Sequence, residues 1–163
     1  MTNNVPNKDS TVRSVAAQAL IGLAFWMTFG LILEGLIGFR SPSYLLDPTR
    51  RELLRLAHAH GAIFSILLLA LSLGQYAGMI SPPRAAVLSL RIGTILMPVG
   101  FLLGGIWLQG SDPGPGIFLA PLGGLMIIFG VITMAVAFLT EKGSDPKLDI
   151  DNANSSKKAT EKS

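Results

Sequence analysis

Residues Leu125–Leu139 read LMIIFGVITMAVAFL, and a helix built from them has no polar face. A helix on the surface of a soluble protein carries its apolar residues in one stripe, whereas a helix that is apolar all round belongs in lipid or in a deep core. The chain has four such stretches, over 15–39, 53–80, 85–108 and 116–139. Each exceeds the roughly 20 residues that a helix rising about 1.5 Å per residue needs to cross about 30 Å of hydrocarbon. With 163 residues, the chain is too short to bury four of them in a soluble core. A composition of 50% hydrophobic and 14% charged residues agrees, against a usual charged share of about 25%.

These stretches predict an all-α membrane protein, a four-helix up-and-down transmembrane bundle spanning 15–139, with polar tails at 1–14 and 140–163, the latter disordered. The first stretch is longer than the apolar region of a signal peptide, carries Glu34 and lacks a small-residue cleavage pattern, so it is expected to stay as an anchor. An even number of spans puts both tails on one side. Lys8, Arg13, Arg84, Lys142 and Lys147 lie on that side, against Arg40, Arg50 and Arg51 on the other, which predicts cytoplasmic termini in the inner membrane.

The breaks between spans have local causes. Asp47 can cap a helix with Pro48 in its first turn, or Thr49 and Glu52 can form a reciprocal capping box. Ser81-Pro82-Pro83 separates the second span from the third, and QGSDPGPG at 109–116 makes a tight turn without helix or strand. Such short connections make consecutive helices antiparallel neighbours. Small residues four apart predict packing seams at Gly74 with Gly78, Gly100 with Gly104, Ala120 with Gly124, and Ala57, Gly61 and Ser65. Pro98 and Pro121 are expected to kink the third and fourth spans.

Ionisable groups are costly inside a membrane, so the few present carry any chemistry. Glu34, Arg51, Arg55, Ser65 and Arg91 are expected to form structural polar contacts, with Glu34 neutralising Arg55 in an outer layer. His58 and His60 are the candidate cofactor ligands. At about 100° per residue Arg51, Arg55, His58 and Ser65 share one face, and His60 points about 200° from His58. Two divergent histidines and no cysteine fall short of a zinc site, and no metal is assigned. Haem b asks only for one axial histidine and is the possible cofactor. The absence of cysteine also excludes thiolate-held iron–sulfur clusters and covalent haem c.

Tyr44–Gly61, YLLDPTRRELLRLAHAHG, together with LEGLIGF at 33–39 and GSDPGPGIFLAPLG at 110–123, resembles a group of small four-span bacterial membrane proteins without an established activity. Locally, LRLAHAHGAIFSILLLA is similar to the histidine-bearing helix of haem-copper oxidase and nitric oxide reductase core subunits and of NnrS-type proteins. That likeness implies one haem-facing or metal-facing histidine, for which His58 is the better match, but the other spans and histidines of those families are missing.

Phosphate loops, dinucleotide fingerprints, nucleophile elbows and paired intramembrane carboxylates are all lacking, so no catalytic residue is assigned and enzyme activity is not expected. The basic residues are scattered along span edges, which argues against a nucleic-acid partner. The expected partners are the lipid bilayer and a second copy or a larger membrane complex. The expected function is that of a structural or accessory subunit of a membrane assembly; the alternative is a haem-binding or proton-handling protein using His58.

Overall fold

The computed structural model describes residues 8–141. Four long helices dominate: α1 (Lys8–Gly38), α3 (Pro48–Tyr76), α4 (Arg84–Ile106) and α5 (Leu119–Glu141), with a short α2 (Pro42–Leu45) and a 3-10 turn (Pro115–Phe118) in the connections. All four long helices are long and apolar enough to cross a membrane. α1 takes in residues 8–14, which the sequence had placed in the first tail; residues 1–7 and 142–163 lie outside the described part.

Each boundary has a chemical cause. Asp47 caps α3, its carboxylate accepting from the Arg50 N–H at 3.0 Å with Pro48 in the first turn, which is the first of the two expected arrangements. At the other end α3 stops at Tyr76 and does not run on to Ile80. Gly78 adopts φ +70°, and the N–H groups of Gly78 and Met79 turn back to the carbonyls of Gln75 and Gly74, a Schellman closure. Gly78 is therefore a helix stop and takes no part in a seam. In the third connection Gln109 and Asp112 exchange backbone hydrogen bonds at 3.0 and 3.2 Å, so the expected turn forms, although its last residues wind into the 3-10 turn. Pro121 lies in the first turn of α5, where an N–H has no intrahelical acceptor to lose; among the described residues only Pro98 is interior to a helix.

The loop between α1 and α3 holds structure that the sequence did not suggest. α2 buries Tyr44 against Leu33 of α1 and Leu54 of α3.

α1 packs along α3, α3 along α4 and α4 along α5, and no other pair of long helices packs along its length. Neighbours run antiparallel, because Gly22, Trp26 and Gly30 rising along α1 meet Ser65, Gly61 and His58 descending α3. Along α4, Gly93 and Gly100 face Ile127 and Ala120 of α5, and Gly104 faces Ile117 of the 3-10 turn, in the same opposed order. The layout is thus a row in which α5 does not return to close against α1. One core of Val15, Ala19, Leu68, Leu71, Leu90 and Ile127 nevertheless draws on all four helices.

Candidate functional site

The seam between α1 and α3 alternates small and large residues. Ser65 sits over Gly22, the Trp26 indole lies flat on Gly61, and the His58 ring fills the space above Gly30. A side chain at Gly30 would occupy the position of the imidazole. Its absence lets His58 reach the α1 backbone, where Nδ1 lies 2.8 Å from the Trp26 carbonyl oxygen. A carbonyl only accepts, so Nδ1 carries the proton and donates it. In the neutral ring Nε2 is then an unprotonated acceptor.

His60 turns the opposite way, as its helical angle from His58 requires. Its Nδ1 donates to the Leu56 carbonyl of its own helix at 2.8 Å, and its ring stacks on Phe101 of α4 with centroids 5.2 Å apart. Both histidines are half-buried, each in a different helix interface. They cannot ligate one metal ion or the two faces of one haem within a single chain, and the described residues contain no group of three or more potential metal ligands.

Above His58, toward the α1–α3 loop, a groove of about 350 Å³ opens between Gly30, Glu34 and Ile37 of α1, Tyr44 of α2, and Arg55 and His58 of α3. Glu34 and Arg55, expected to neutralise each other, both line it, yet no ion pair within 4.0 Å joins them. The Tyr44 ring packs with Leu33 and Leu54, the sequence neighbours of these two charges. The Tyr44 hydroxyl is buried without a hydrogen-bond partner. Burial pushes the phenol above its ordinary range, opposed by the positive charges of Arg55 and Arg51.

The remaining polar residues lie elsewhere. Ser65 donates to the Gly61 carbonyl at 2.7 Å within α3 and packs on Gly22. Arg51 stands one turn before Arg55, beyond the groove. Arg91 belongs to a second cluster at the far end of the molecule: its Nε donates to Gln18 Oε1 at 2.7 Å, one terminal nitrogen donates to Ser14 Oγ at 3.1 Å, and Gln18 Nε2 donates to the Arg91 carbonyl at 2.9 Å. These bonds tie α1 to α4, which do not pack along their length.

Sequence patterns reached His58, Arg55 and Glu34 but passed over Tyr44, Gly30, Gln18 and Ser14. Two signals were present: Gly22-x3-Trp26-x3-Gly30 repeats at the spacing of one helix face, as do Ser14 and Gln18. No family model, no curated protein and no solved structure matches this chain.

Proposed function

We propose that the chain is a four-span integral protein of the inner membrane, an up-and-down bundle with cytoplasmic termini, acting as a structural or accessory subunit of a membrane assembly. The supporting observation is where its polarity goes. Hydroxyls along the helices are spent on backbone carbonyls: Thr28 on Ala24, Ser89 on Met126 and Thr133 on Phe129, each at 2.8 Å. The outward surface is left to residues such as Leu20, Ile21, Leu31, Ile128 and Ile132, all at least half exposed. In lipid, where every polar group needs a partner, this distribution is stable, and in water it is not. The outer faces of α1 and α5 also lack a partner within one chain, which suits association with other transmembrane helices. Extraction in a mild detergent followed by native mass spectrometry should recover the chain with a stoichiometric partner, either a second copy or another subunit. A bare monomer under conditions that preserve known complexes would count against an accessory role.

A second reading, haem binding or proton handling at His58, is favoured by a ring held at Nδ1, which in its neutral form presents Nε2 as an acceptor. Holding one nitrogen of a histidine is how a ligating or proton-accepting imidazole is oriented. His58 would be the residue to hold a haem, through Nε2, and the group would supply redox or Lewis-acid chemistry. An absorbance scan across the Soret region tests the haem branch directly.

A further inference from the structure

The groove beside His58 collects groups whose hydrogen-bonding capacity the fold leaves unused. Two are acceptors, the Glu34 carboxylate and His58 Nε2. Two are donors, the Arg55 guanidinium and the Tyr44 hydroxyl, which is the buried one without a partner. Buried polar groups are nearly always satisfied, so an orphaned hydroxyl on a residue that lines the groove is a partner that a molecule seated there would reach by displacing the side chains that cover it. The walls also choose the chemistry. A carboxylate beside a guanidinium gives a site of little net charge, which disfavours a phosphate or a fatty carboxylate. A ligand that must both donate and accept, at two separated points and as a neutral species, is met by an aromatic diol.

The groove also dictates the rest of the ligand. Leu31 and Ile37, 73% and 51% exposed, flank its α1 edge, so it opens sideways onto the apolar surface of the helices. α2 closes it at the loop end. A molecule entering from the side would bring an apolar body along α1 and seat a polar head under α2. About 350 Å³ lies at the lower end of the range for small-molecule pockets, enough for one substituted ring.

We propose that this groove binds the hydroquinone headgroup of a lipid-soluble amphiphile, one ring hydroxyl donating to His58 Nε2 and the other accepting from the Tyr44 hydroxyl. Glu34 and Arg55 complete the polar rim, and Gly30 keeps the imidazole in place. The inference rests on the second reading of His58 and gives it a ligand class; it requires no electron transfer, only reversible binding.

The test uses the full-length protein in lipid nanodiscs, titrated calorimetrically under anaerobic reducing conditions with decylhydroquinone, and with empty nanodiscs as the blank. Saturable binding is expected, weakened about two- to tenfold in Tyr44→Phe and in His58→Gln, the loss of one hydrogen bond each. Tyr44→Phe should melt no lower than the wild type, because it deletes a buried hydroxyl that has no partner in the unliganded protein. Heat indistinguishable from the blank, equal affinity in both variants, or equal affinity for decanoate would overturn the proposal. A Soret band that His58→Gln abolishes, with no hydroquinone binding, would overturn it while keeping the His58 reading. Hydroquinone binding weakened in both variants, with no Soret band, supports it and removes haem.

Discussion

Gly123→Ala will loosen α5 from α4, and Gly124→Ala, one residue along, will be tolerated. A methyl group at Gly123 would run into the backbone of Met97, with its Cα only 2.9 Å away, and into Leu96 Cβ at 3.0 Å. Backbone cannot swing aside as a side chain can, so the helices must part. At Gly124 the nearest atom is the flexible Met97 Sδ at 3.8 Å, an ordinary contact. Without water inside a bilayer, helix association depends on such close approach, and losing it is felt directly. Overpacking of this kind costs about 1–3 kcal/mol, and contact with backbone puts Gly123 at the upper end. Reversible unfolding of the two variants in mixed micelles should show the large loss only for Gly123→Ala. The result also separates this seam from the expected one, since Ala120 with Gly124 is the spacing that sequence alone suggests and Ala120 with Gly123 is the pair that packs.

Gln18→Leu is expected to be the most damaging single change at the other end of the molecule. Gln18 both accepts from Arg91 Nε and donates to the Arg91 carbonyl, so leucine removes two bonds and strands a half-buried guanidinium with Ser14 alone. Hydrogen bonds to charged groups contribute about 1.5–3 kcal/mol, and the unpaired charge adds its own penalty. Arg91→Met in the same protein removes the stranded charge. The double variant should therefore be more stable than the sum of the two single losses predicts. Strictly additive losses would mean that Gln18 and Arg91 do not act as a unit.

The contrast between these clusters shows what a linear sequence can carry. Helix number, the approximate spans and the divergence of His58 from His60 follow from composition and from 100° per residue, which act locally. The Asp47 cap and the 109–114 turn are local in the same sense. Tyr44 was hidden because a four-residue helix is too short to have a periodicity, and its burial depends on Leu33 and Leu54, which come from two other elements. Glu34 and Arg55 line one groove, but whether they touch depends on side-chain placement that helical spacing does not encode. Gln18 and Arg91 are separated by two helices in the chain and meet only through long side chains. The open row of helices, in which α1 and α5 stay apart, likewise depends on packing angles that spacing does not encode.

A subunit or a lipid-facing groove of this kind requires the four helices to cross a bilayer in alternating directions, and cysteine labelling tests that directly. The chain has no cysteine of its own, so single cysteines at Ser43, Ser81 and Ser111, all exposed in the connections, report without background. In spheroplasts an impermeant maleimide should label Ser43→Cys and Ser111→Cys, and should reach Ser81→Cys only after the membrane is permeabilised. Labelling of Ser43→Cys and Ser81→Cys from the same side would place both ends of α3 on one face of the membrane and contradict the four-span account.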